Sequence, residues 1–183
     1  MNLKSGKSIQ LICLTFLCIF FSQALMFIKA DDELIARLCS ATSYPNICSN
    51  CLNSDPSSKT ATDTGLVRIS MLCAANDMNN LFQDTFIYQG NTTESTMKDA
   101  LNYCLNQFED AENKINNVSD EVQHRDFDGA KQRINDEILA EVVSCTNFLH
   151  SKGLPVPEIV SNDIDTVDRD WNIVMEILGS LKS

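Results

Sequence analysis

Residues 93–118 read TESTMKDALNYCLNQFEDAENKINNV, and their apolar positions decide the fold. Met97, Leu101, Cys104, Leu105, Phe108, Ala111, Ile115 and Val118 recur every three or four residues, which draws one continuous stripe along an α-helix. The same period runs through 127–150 as Phe127, Ala130, Ile134, Ile138, Val142, Cys145, Phe148 and Leu149. It returns in 163–182 as Ile164, Val167, Trp171, Val174, Ile177, Leu178 and Leu181. The segment 61–88 is looser, with Leu66, Ile69, Cys73, Leu81 and Thr85 on one side and Val67, Met71, Ala74 and Met78 on its neighbour.

The breaks between these stretches carry stop and start chemistry. Ser54-Asp55-Pro56-Ser57-Ser58 is a turn cluster, and Thr62 or Asp63 can cap the helix after it. Gly90 and Asn91 are expected to end that helix, and Thr93 or Ser95 to start the next. Lys152-Gly153 with Pro155 and Pro157 stops the third, because glycine accepts a left-handed cap and proline cannot continue a helix. Four amphipathic helices with short connections predict an all-α fold, an antiparallel four-helix up-and-down bundle over 61–182. Residues 31–53 stand apart. Leu34, Ile35 and Leu38 begin a short helix, Tyr44-Pro45 breaks it, and Ile47 to Leu52 form another. Cys39 and Cys48 flank the break, as in a helical hairpin closed by its own disulfide.

The N-terminus sets the expected compartment. Lys4 and Lys7 precede an apolar run from Ile9 to Ile28, and Ala30 precedes Asp31-Asp32-Glu33. A basic start, an apolar stretch and a small residue before polar sequence predict a secretory signal peptide over 1–30. A retained membrane anchor is the alternative, since about 20 apolar residues span a bilayer, but Gln10, Ser22 and Gln23 interrupt this run. Cleavage would leave residues 31–183, a usual size for one domain. It would remove Lys4, Lys7 and Lys29, leaving 11 of the 14 basic residues against all 25 acidic ones and a net charge of −14. Such a chain does not bind nucleic acid or an anionic membrane by electrostatics. Its acidity either favours a basic partner or keeps the chain in solution.

Cys13 and Cys18 would leave with the signal, and Cys39, Cys48, Cys51, Cys73, Cys104 and Cys145 would remain. An even number in an oxidising compartment implies disulfides, with 15 pairings open. Asn91-Thr-Thr and Asn117-Val-Ser are N-glycan acceptor sequons and suggest surface loops at both positions.

Chemistry-bearing constellations read as structural. Cys48-Ser-Asn-Cys51 has the CxxC spacing of a redox motif or half a zinc site, but no strand-turn-helix setting surrounds it, and secretion disfavours reduced ligands. His124 and His150 lack a companion nucleophile or a partner at metal-ligand spacing. Asp31-Asp32 and Glu109-Asp110 read as solvated helix faces rather than an acid–base pair, and Trp171 as a core anchor. The expectation is a protein that is not an enzyme and takes neither cofactor nor metal.

This arrangement resembles the plant family of invertase and pectin methylesterase inhibitors. The resemblance rests on Cys39, Tyr44-Pro45, Cys48 and Leu52-Asn-Ser-Asp-Pro-Ser-Ser, then Leu66. It continues in Cys104-Leu-Asn-Gln-Phe108-Glu-Asp110-Ala111, and in Asp126-Phe127-Asp128-Gly-Ala130 leading to Ser144-Cys145 and Phe148. It implies the four-helix bundle with an N-terminal hairpin and the disulfides Cys39–Cys48 and Cys104–Cys145. Both Cys104 and Cys145 lie on core stripes of consecutive helices, which suits the second bond. Cys51 and Cys73 fall outside this four-cysteine scheme, and as two additions in a secreted chain they are expected to pair with each other. The implied function is stoichiometric inhibition of a cell-wall carbohydrate-active enzyme in a one-to-one complex over its cleft, outside the cell or, alternatively, in the vacuole. Pectin methylesterase is favoured over invertase. Some invertase inhibitors carry Pro-Lys-Phe where this chain has Arg125-Asp126-Phe127, and acidic residues commonly follow the fourth cysteine where it has Thr146 and Asn147. A secreted binding or signalling module without an enzyme target is the competing class.

Overall fold

A computed structural model describes residues 32–181, so the expected signal peptide lies outside the described residues. Helix α1 covers residues 32–40 and α2 Pro45–Ser54, followed by a 3₁₀ turn at Pro56–Thr60. The long helices are α3 (Asp63–Asn91), α4 (Ser95–Gln123) and α7 (Glu158–Ser180). Between α4 and α7 runs a third long helix assembled from α5 (Phe127–Arg133), a π-helical segment (Ile134–Leu139) and α6 (Ala140–Ser151). Among the described residues there is no strand. Helix α3 packs on α4 and α7, α4 packs on the composite third helix, and the first half of that helix closes the ring against α7. The result is an antiparallel up-and-down four-helix bundle.

The predicted stripes line its interior. Leu66, Met78, Leu81, Leu101, Phe108, Ile134, Ile138, Leu149, Trp171 and Ile177 are fully buried. At about 25 cal/mol per Å² of apolar surface, side chains of this size each contribute some 1.5–3 kcal/mol when buried. Ile35, Leu38 and Leu52 add the hairpin to the same core. The hairpin is also pinned from outside, because Ser43 donates to Glu176 on α7 from both its backbone N–H (2.8 Å) and its hydroxyl (2.5 Å).

Caps fix where the helices start, with differences from the sequence reading. Thr62 caps α3 by accepting from the Gly65 N–H at 3.2 Å. The cap of α4 is neither Thr93 nor Ser95 but Glu94, whose carboxylate is long enough to accept from the N–H groups of Thr96 (3.0 Å) and Met97 (2.7 Å). Gly90 lies inside α3 rather than ending it. Helix α7 starts at Glu158, ahead of the expected 163, because Pro157 at its cap position has no N–H to leave unpaired.

The turns after α4 and α6 share one geometry. Gly153 and Arg125 both sit in the left-handed region, at φ 68° and 60°. The N–H groups of Asp126 and Leu154 reach back five residues to the carbonyls of Glu121 and Leu149, at 2.9 and 3.0 Å, the Schellman pattern. Arginine accepts that conformation at a cost of about 1–2 kcal/mol. Stacking of its guanidinium over Phe127 (5.1 Å) and an ion pair with Asp63 (3.6 Å) offset part of it. Asp126 then caps α5 by accepting from the Gly129 N–H at 3.0 Å. A Cβ on Gly129 would stand 2.5 Å from Asp126 Oδ2, so the glycine makes room for the cap.

That contact gives a testable coupling. Asp126→Ala should cost about 1 kcal/mol, a fall of about 2–4 °C in melting temperature. Gly129→Ala should give none of the usual helix gain of about 1 kcal/mol in the wild-type background and recover most of it beside Asp126→Ala. Equal effects of Gly129→Ala in both backgrounds, measured by thermal unfolding, would refute the coupling.

Candidate functional site

Among the described residues no group of His, Cys, Asp and Glu side chains could hold a metal ion. His124 is exposed where α4 ends, with Nδ1 2.8 Å from the Asp120 carbonyl, and His150 is exposed in the last turn of α6. The six cysteines expected in the mature chain form three disulfides: Cys39–Cys48, Cys51–Cys73 and Cys104–Cys145, with Cα separations of 5.4, 6.2 and 4.6 Å. The CxxC cysteines, Cys48 and Cys51, thus belong to two different bonds. Cys73 lies well into α3, and α2 folds back along that helix to meet it.

The face over Cys104–Cys145 is the best-organised candidate for contact. Tyr103 on α4 stacks on Phe148 of α6 with ring centroids 4.1 Å apart and planes 22° from parallel. The Tyr103 hydroxyl and Ser144 Oγ share a 2.7 Å hydrogen bond, and Lys152 Nζ lies over the Phe148 ring, 5.1 Å from its centroid. Both polar partners neighbour the disulfide in sequence, so the cross-link and the stack hold the two helices in one register. Val143, 51% exposed, shares the outer face of α6 with Thr146 and Asn147, three and four residues on. A second exposed apolar cluster, Phe86, Ile87, Tyr88 and Ile159, lies where α3 ends and α7 begins. Asn91 is exposed at the last residue of α3. Asn117 is exposed too, but within α4 rather than in the loop expected from its sequon, because the stripe of α4 continues through Val118 and Val122.

The electrostatics are concentrated between α3 and α7. Asp77 and Asp170 face each other there. Asp77 is pushed up to about 6, first by burial and then by a hydrogen bond with Asp170 and its charge, while Asn80 and Arg169 oppose the rise. Asp170 is nearly buried and receives the Arg169 Nε–H at 2.8 Å. Seven residues along each antiparallel helix, Asp84 meets Asp163, which burial raises, reinforced by the charge of Asp84 and a hydrogen bond with it. On α4, burial raises Glu112, and the charge of Glu109 adds to it. Two carboxylates go the other way. Hydrogen bonds from Ser57 hold Asp55 low, and hydrogen bonds from Thr96 and Met97 hold Glu94 low.

The described residues form a helical bundle clamped by three disulfides. A family model described as plant invertase/pectin methylesterase inhibitor matches residues 33–170, and the chain belongs to that family, one of inhibitors rather than enzymes. Its fold is similar to a crystal structure of a mutant form of a pectin methylesterase inhibitor from Arabidopsis, with TM-score 0.63 and 17% identity over 81% of this chain and 97% of that one. A second structure, of a pectin methylesterase inhibitor from Arabidopsis thaliana, is similar at TM-score 0.58 and 17% identity, over 81% and 96%. A curated protein of Arabidopsis thaliana whose name pairs a pectinesterase with a pectinesterase inhibitor is 25% identical over 116 residues, 62% of this chain. The chain spans only 12% of that relative's length.

The paired carboxylates fix how stability depends on pH. Asp77 lies above the ordinary 3.8, at about 6, so between about 4 and 6 the folded chain holds a proton that the unfolded chain has lost, and Asp163 shifts in the same direction. That contribution is complete below about 4 and is lost as pH rises through about 6. Asp55 and Glu94 contribute in the opposite sense and lose their share as pH falls below about 4. Stability should therefore peak on the acidic side of neutrality. The melting temperature is expected to fall between about pH 4 and 6, and Asp77→Asn should flatten that slope. A slope left unchanged by Asp77→Asn would show that the proton resides elsewhere.

Proposed function

We propose that this chain is a secreted inhibitor of pectin methylesterase that acts outside the cell, in the plant cell wall, by covering the enzyme's cleft in a one-to-one complex. The family match across residues 33–170 carries this reading. Four features support it. No helix of the described residues is long and apolar enough to cross a membrane. The face of α4 and α6 around Tyr103, Val143, Asn147 and Phe148 is held rigid by a disulfide, which limits the conformational freedom lost on binding. The acidic surface suits a basic partner, whose approach it would steer. The acid-favoured fold, finally, fits the mildly acidic medium of a plant cell wall.

The test is a titration of the folded, disulfide-intact protein against purified pectin methylesterase and, in parallel, invertase. Esterase activity should fall linearly to an end point at one equivalent, with invertase untouched. Association should slow as salt rises, since charges are screened beyond about 10 Å at 0.1 M. Loss of invertase activity alone would move the target to the glycosidase and keep the inhibitor. Loss of neither, with helical circular dichroism intact, would sink the inhibitor reading.

Two sets of variants locate the contact. Val143→Arg, at an exposed position, should weaken esterase inhibition by tenfold or more, equivalent to about 1.4 kcal/mol, with unchanged circular dichroism. Replacing Cys104 and Cys145 together by Ala removes a loop closure worth about 4 kcal/mol, and inhibition should fail at temperatures where the bundle opens. Full potency of Val143→Arg would place the contact on another face.

A further inference from the structure

The exposed apolar end of the bundle and the sequon at Asn91 are one feature. A groove of about 400 Å³ runs between the end of α3 and the start of α7. Ile87, Tyr88 and Ile159, which are 56%, 39% and 43% exposed, form its apolar wall, and Asp84 is its acidic member. All three residues of the acceptor sequence Asn91-Thr92-Thr93 also line it. Tyr88 and Ile87 precede Asn91 by three and four residues on one helix, so their side chains lie along the same face, just below the amide that would carry the sugar. Thr92 caps α3 by donating its N–H to the Tyr88 carbonyl at 3.0 Å, which fixes the sequon against the groove rather than on a free loop.

We propose that Asn91 carries an N-linked glycan whose first N-acetylglucosamine units lie in this groove and cover Ile87, Tyr88 and Ile159. A pyranose ring suits such a site. Its C–H face packs on an aromatic or aliphatic wall, its hydroxyls donate to the Asp84 carboxylate, and the covalent bond to Asn91 makes the local concentration high. An exposed apolar cluster of this kind otherwise marks a contact surface or an aggregation liability. Asn117 serves as an internal control: it is exposed on α4 and is not among the residues that line this groove. The proposal depends on passage through the secretory pathway and not on which enzyme, if any, the protein inhibits.

The experiment expresses the full chain in a glycosylating eukaryotic host and maps its peptides by mass spectrometry. Asn91 should carry glycan in the secreted protein, and nuclear Overhauser contacts should link N-acetylglucosamine protons to the Tyr88 ring. The glycosylated protein should melt about 2–4 °C above both Thr93→Ala, which removes the acceptor sequence but keeps Asn91, and the unmodified protein made in bacteria. Trimming to a single N-acetylglucosamine should preserve the gain, Tyr88→Ala should abolish it, and Asn117→Gln should leave it intact. An unmodified Asn91 in the secreted protein, or a glycan there whose stabilisation is indifferent to Tyr88, would overturn the proposal.

Discussion

The bundle depends on the seam between α3 and α7, its first and last long helices. Nothing local brings them together, and their contacts close the ring that the intervening helices open. Trp171, fully buried on α7, supplies the largest apolar side chain of that helix. The hairpin leans on the same two elements, bonded to α3 through Cys51–Cys73 and hydrogen-bonded to α7 through Ser43 and Glu176. That seam also holds Asp77 and Asp163, which keep their protons to higher pH than an ordinary carboxylate, so the protonation state of a few groups is linked to the stability of the whole.

Opposite that seam, α4 and the composite third helix are joined covalently. The Cys104–Cys145 bond closes a separation of 41 residues, and the Tyr103–Phe148 stack and Tyr103–Ser144 hydrogen bond lie beside it. Two different devices thus fix two sides of one bundle: proton-linked packing on one, a cross-link on the other.

The π segment reconciles the third helix with its neighbours. Ala130, Ile134, Ile138 and Val142 are spaced by four, which in an ideal α-helix drifts about 40° per step away from a straight line. Bonds from i to i+5 place an extra residue in the turn and cancel the drift, so all four side chains are buried. Arg133, at the entrance to the segment, ties it to α4, donating to Glu121 at 2.6 and 2.9 Å and to Glu137 at 2.5 Å.

Helical class, the four long segments, the turn chemistry at Pro56 and Gly153 and the burial of Trp171 were all determined by the sequence, because periodicity, glycine and proline act over a few residues of chain. The three-dimensional arrangement decided what depends on distance between remote residues. Asp77 and Asp84 are unremarkable on α3 until antiparallel packing sets them against Asp170 and Asp163, and burial in that packing, reinforced by the partner carboxylate, raises Asp77 into the mildly acidic range. The run of four-residue spacings from Ala130 was a visible trace of the π segment, but its meaning depends on which neighbour each side chain must reach. Asn91 and Asn117 carry the same motif and end in different surroundings, one at the last residue of α3 beside Ile87, Tyr88 and Ile159 and one within α4. A sequon is defined by its own three residues, whereas the surface around it is assembled from helices more than sixty residues apart in sequence.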